Sequence, residues 1–173
     1  PVSIKDDREP ARLTAATDGV LGHSANMAVR RVPFEAVGGF DEGLGPGRSL
    51  PAAEDSELFD RLFAAGYEGW YEPAALAWHD QWRTPRELLK LEWLYGIGSG
   101  ARLARLARLD RERARSLATA DLWGNGLKTV PSLVRNRYKF GVLYVLARLA
   151  GTSRGYVRAV RSGFAASPPP PLG

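Results

Sequence analysis

Charge is divided along the length of this chain, and the division constrains its organisation more than any single motif does. Residues 1–100 carry ten Lys and Arg against sixteen Asp and Glu, a balance of −6, whereas residues 101–173 carry fourteen against three, a balance of +11. An acidic unit followed by a basic appendage is implied. At 173 residues and 45% hydrophobic, the chain has enough apolar material for one core. It has no cysteine, which excludes disulfides and thiol chemistry and suits a cytoplasmic setting. Its first residues lack the charged-then-apolar pattern of a secretory signal.

The basic part reads as helical from Thr84. Thr84-Pro85-Arg86-Glu87 is an N-cap followed by proline at the first helical position, and Leu88, Leu89, Leu91, Trp93, Leu94 and Tyr95 supply apolar faces. Gly96, Gly98 and Gly100 then call for either a break or a close approach of another helix, since each costs about 1 kcal/mol relative to Ala inside a helix. The Ala-Arg-Leu triplets of 101–109 make a cationic amphipathic helix. Leu117 to Arg161 holds one or two more helices, broken near Gly124–Gly126 and Pro131. The prolines of 167–173 read as a disordered or polyproline tail.

Within this part, the uncharged run Phe140–Ala147 is far shorter than the roughly 20 residues that cross a bilayer. Its basic flanks, Lys128, Arg135, Arg137, Lys139 and Arg148, together with Trp123, Tyr138, Phe140, Tyr144 and Tyr156, suit a segment lying at an anionic membrane surface. A solvated basic face over an ordinary helical pair explains the same residues. Nucleic acid is disfavoured as a partner because no recognised binding motif is present.

The acidic part has a coarse layout set by its turn residues. A short helix is expected around Glu9–Ala16, an extended segment over Val20–Val29 and a short helix over Pro33–Val37 closed by Gly38-Gly39. Asp6-Asp7 reads as a solvated turn. Gly43–Ala53, rich in Gly, Pro and Ser, is expected to be a mobile loop able to order over a substrate. From Glu54 the spacing of Leu58, Phe59, Leu62 and Phe63 predicts a helix with one buried stripe, ended by Gly66. Tyr67–Tyr71 and Ala74–Trp78 read as short strands.

Two places in this part carry possible chemistry. Glu54, Asp55 and Glu57 open a helix, where acidic residues are favoured by free N–H groups and the macrodipole, so capping alone accounts for them. A carboxylate fixed in direction at that position also suits a general base taking a proton from a hydroxyl. His79, at a strand end between Trp78 and Asp80, is either a hydrogen-bonded structural histidine or a ligand for a divalent metal.

The order Gly22-His23-Ser24-Ala25-Asn26-Met27-Ala28-Val29-Arg30-Arg31, Val37-Gly38-Gly39-Phe40-Asp41-Glu42, Leu44-Gly45-Pro46-Gly47, Glu54-Asp55-Ser56-Glu57-Leu58, Arg61-Leu62, Ala65-Gly66-Tyr67, Tyr71-Glu72-Pro73 and His79 resembles the acceptor-side half of a family 2 glycosyltransferase. The likeness covers roughly residues 20 to 100. It implies an α/β chain containing part of a GT-A, Rossmann-like domain and inverting transfer of a sugar from a nucleotide diphosphate sugar to an acceptor hydroxyl. Asp55 takes the position of the family's general base, and Glu54 would orient the acceptor. Asp41, Glu42 and Asn26 fall in segments that approach sugar and acceptor. His79 takes the position of the ligand to a divalent metal, Mn or Mg, that neutralises the leaving diphosphate.

The family's nucleotide-binding half, with its Asp-x-Asp motif, has no counterpart among these residues. The chain is therefore expected to supply general base and acceptor side, and to be inactive without a donor-binding half. The expected division is 1–83 for the glycosyltransferase part, 84–166 for the basic helical extension and 167–173 for the tail. The expected partners are a nucleotide-sugar donor, a glycan or lipid-linked acceptor and an anionic membrane surface at the cytoplasmic face. The alternative is a non-catalytic, basic helical module that binds an anionic membrane or another anionic partner.

Overall fold

The computed structural model describes residues 8–17, 22, 24–78, 82–135 and 139–163. His79, the Asp6-Asp7 turn and the proline-rich 167–173 segment lie outside the described residues. The fold is mixed α/β and mostly helical, with one two-stranded sheet among the described residues. Contacts divide it into two units, one from residues 8–41 and 54–82 and the other from 42–53 and 83–163.

In the first unit, β1 (Ala11–Leu13) pairs antiparallel with β2 (Gly69–Tyr71), with Leu13 opposite Gly69. The helix expected over Glu9–Ala16 is replaced by this strand. The reason is long-range: the absent side chain of Gly69 leaves room for Leu13, whose Cβ lies 3.3 Å from where a Cβ on Gly69 would stand. Leu13 then buries against Phe63, with Phe59 and Tyr71 beside them. Pairing with a buried face outweighs a weak local preference.

Between the strands in sequence lie α1 (Arg31–Ala36) and α2 (Glu54–Ala64). The spacing of Leu58, Phe59, Leu62 and Phe63 predicted one stripe; the structure splits it into two clusters. Leu58 and Leu62 pack with Val37, Ala65, Met27, Val29, Phe34 and Tyr67, whereas Phe63 and Phe59 join Leu13. Phe59 and Phe63 stack with ring centroids 6.1 Å apart.

Both helices end in the same glycine device. After α1, Gly38 (φ 82°) donates to Glu35 O and Gly39 N to Phe34 O; after α2, Gly66 (φ 81°) donates to Phe63 O and Tyr67 N to Leu62 O. These are Schellman closures, which need a left-handed residue that glycine adopts without strain. Residues 74–78 form no strand, contrary to expectation. The backbone turns instead at Glu72–Leu76, through Ala75 N to Glu72 O and Leu76 N to Ala74 O, and Leu76 and Trp78 are exposed. With no core among the described residues facing this segment, its apolar run has nothing to bury against.

The second unit is built on α3 (Pro85–Leu109) and α6 (Lys139–Arg161), linked by α4 (Arg111–Ala120), a π-helical segment (Asp121–Leu127) and α5 (Val130–Arg135). Thr84 caps α3 through a full capping box: its Oγ1 accepts from Glu87 N, and its own N–H reaches the Glu87 carboxylate at 2.7 Å. That bond and the Thr84 hydroxyl hold the Glu87 carboxyl below the usual carboxylate range. Asp110 ends α3 and caps α4, accepting from Arg113 N at 2.9 Å.

Gly96, Gly98 and Gly100 do not break α3; they admit other backbone. A Cβ on Gly96 would stand 2.2 Å from Arg148 O and one on Gly100 2.0 Å from Thr152 O; on α6, a Cβ on Gly151 would meet Trp93 O at 2.4 Å and one on Gly155 would meet Ile97 O at 2.0 Å. The two helices thus present glycines four residues apart to each other's backbones. Because Pro85 O pairs with Tyr144, Glu92 with Arg148 and Gly100 with Thr152, both run in the same direction.

The Gly43–Ala53 loop is anchored rather than free. Leu44 and Leu50 bridge one another and bury with Ile97, Ala101, Ala104 and Ala159, and Gly98 gives way to Ala52, whose carbonyl would be 2.4 Å from an added Cβ. Leu50 is fully buried. The mobile substrate-covering loop expected from composition is therefore corrected to a packed segment of the second unit.

Candidate functional site

Asp55 sits at the second residue of α2, one residue after Ala53–Glu54, where the backbone passes through φ 74° at Ala53. A non-glycine residue in that region is uncommon. The carboxylate is only 9% exposed and both oxygens are engaged. Oδ1 accepts from Ser56 N at 2.7 Å and from Ser56 Oγ at 3.3 Å; Oδ2 accepts from Ser24 N at 3.3 Å. The start of α2 is thereby tied to the 3₁₀ turn Ser24–Asn26.

Ser24 also lines an open depression of about 480 Å³, walled by Met27, Val29, Phe34 and Phe40 with Arg31 at its edge. Phe34 and Phe40 meet edge to face, centroids 5.4 Å apart, and Phe40 keeps a solvent-facing surface. Arg31 is exposed and pairs with Glu35 at 2.7 Å. An apolar wall with one serine and one cation beside it accepts a ligand that has a flat apolar face and hydroxyls or a phosphate at its edge.

The other expected residues divide. Asn26 is exposed, and its side-chain amide donates to Ala75 O at 2.6 Å, so it fastens residue 75. Glu54 is half-buried at the helix start, and Asp41 is half-buried directly after Phe40. Glu42 is exposed and belongs to the second unit. His79 lies outside the described residues, and among the described residues no group of three or more His, Asp or Glu side chains is placed to hold a metal ion.

Sequence reasoning singled out the acids and passed over the aromatic wall. Phe40 follows a Gly-Gly turn that lifts it from α1, and a large apolar residue right after a Schellman closure was the available signal.

Charge inside the unit is handled by Arg61. It is 6% exposed, pairs with the buried Glu57, and donates from Nη1 to Val37 O and from Nη2 to Gly39 O, the latter at 2.7 Å. The turn that presents Phe40 is thereby pinned to α2.

Protein-family models, curated proteins and solved structures give no match to this chain.

Proposed function

We propose that this chain is the acceptor side of an inverting glycosyltransferase of the family 2 type on a GT-A fold, with Asp55 as the general base. The observation that carries the reading is the link between Asp55 and the depression: Ser24 donates its N–H to the carboxylate and also lines the cavity. The Phe34–Phe40 wall suits the apolar face of a sugar ring, and the hydroxyl to be activated would enter over Ser24. Asp55 would then take the acceptor proton as the sugar carbon is attacked, the Ser24 contact giving way to the incoming hydroxyl. A divalent cation, when bound, would neutralise charge on the leaving diphosphate, with His79 as this chain's contact to it. Glu54 and Asp41 would orient the acceptor.

A second reading has its own support. An acid 9% exposed whose oxygens already hold Ser24 and Ser56 also describes a structural tie in a non-catalytic module. The experiment is nucleotide release from UDP-, GDP- and dTDP-sugars by the complete gene product with Mn²⁺ or Mg²⁺, repeated with Asp55→Asn. A turnover loss of about 100-fold or more fits a general base. Near-normal turnover in Asp55→Asn rejects that role, and no donor consumption by the wild type favours the second reading.

A further inference from the structure

Among the described residues of the second unit, one face of α6 is left exposed. Gly141, Gly151, Gly155 and Ala159 are the buried side of α6, and on the opposite side Leu143, Leu146, Ala150, Val157 and Val160 are exposed, Leu146 by 54% and Val160 by 52%. Spaced three, four, seven and three residues apart, they form one stripe about 25 Å long at 1.5 Å per residue. Arg154, Arg158 and Arg161 are exposed along one flank of its C-terminal half.

Charge decides what can cover this stripe. From Leu122 to the last residue the sequence has eight Lys and Arg and no Asp or Glu. A second copy docked stripe to stripe would bring two arginine rows together with no acid in the segment to offset them. Nucleic acid would satisfy the arginines and leave a row of aliphatic side chains facing phosphate. A surface that is anionic above and hydrocarbon beneath satisfies both sets.

We infer that the outer face of α6 docks on an anionic lipid bilayer, lying in its plane. The aliphatic row enters the boundary between headgroups and acyl chains while Arg154, Arg158 and Arg161 stay with the lipid phosphates. Among the described residues no helix is long and apolar enough to cross a membrane, so α6 rests on the surface. The face is narrower than sequence suggested: Tyr144 donates to Pro85 O and is turned to α3. The inference is independent of sugar transfer.

The test is co-sedimentation of the full chain with phosphatidylcholine vesicles, with and without about 30% phosphatidylglycerol, at low and high salt. The expected result is binding to anionic vesicles that weakens with salt and falls tenfold or more both in Leu146→Gln/Val157→Gln and in Arg154→Gln/Arg158→Gln/Arg161→Gln. Each variant changes exposed positions only, and circular dichroism checks its fold. No binding to anionic vesicles at low salt overturns the inference. So does binding untouched by Leu146→Gln/Val157→Gln, which would be charge attraction alone. Concentration-dependent self-association abolished by that same variant would assign the face to a second copy instead.

Discussion

Arg61 and Glu57, one turn apart on α2, form an ion pair from which solvent is almost excluded, with Nη2 to Oε2 at 2.7 Å and exposures of 7% and 2% for the two side chains. The guanidinium also serves the carbonyls of Val37 and Gly39, so one side chain neutralises a buried acid and closes the turn before Phe40. Taking away one partner leaves the other charge buried. Arg61→Met should therefore cost about 3–5 kcal/mol in urea unfolding. Glu57→Leu/Arg61→Met should recover part of that loss, but not all, because the two carbonyls still lack their donor.

The glycines between α3 and α6 make a sharper claim. Gly100→Ala puts a methyl 2.0 Å from Thr152 O, which is backbone and cannot swing aside. The helices must separate along their length, at an expected cost of about 2–3 kcal/mol. Gly124→Ala is the control: nothing lies within 4 Å of the new carbon, so stability should hold or rise by up to about 1 kcal/mol. Urea midpoints for the two variants, at equal m-value, decide it.

Arg105 is 4% exposed on α3, and burial, then the nearby charge of Arg108, push its guanidinium down from its ordinary range to about 10. The folded state thus releases this proton more readily than the unfolded chain. Below about pH 10 both states hold it and the cost of burying the cation is fully present; above that, up to the ordinary guanidinium range, the unfolded chain binds more protons, so stability from this group rises with pH. Arg105→Met should accordingly stabilise the protein at pH 7, by about 1 kcal/mol. Its advantage over the wild type should shrink above pH 10. Thermal melts across that range measure the difference.

Asp55 can be separated from its structural duty by comparing two substitutions. Asparagine keeps one acceptor oxygen, enough for either the Ser24 or the Ser56 N–H, and presents its NH2 to the other, so Asp55→Asn should cost about half as much unfolding free energy as removing both acceptors. Asp55→Ala leaves both donors short of a partner and should cost about 1–2 kcal/mol. Equal losses for the two would show that charge, not hydrogen bonding, holds the Ser24–Asn26 turn.

Local signals were legible from sequence where the hydrogen bonds that fulfil them join residues three to five apart. The Thr84-Pro85-Arg86-Glu87 start of α3, the Gly66 end of α2 and the Gly38-Gly39 end of α1 each close on groups inside their own segment, so composition at fixed offsets specifies them. The division of charge at about residue 100 is likewise a property of the chain alone. By contrast, whether residues 11–13 became helix or strand depended on Gly69, more than fifty residues away. Whether Gly96 and Gly100 broke a helix or received one depended on Gly151 and Gly155. Composition made the 43–53 segment a mobile loop, and the pocket that Ile97 and Ala101 offer to Leu50 made it part of a core. The aromatic wall of the depression that Ser24 lines and the exposed stripe of α6 belong to the same category. A contact between distant residues has no energy until the chain brings both sides together, so only tertiary structure decided it.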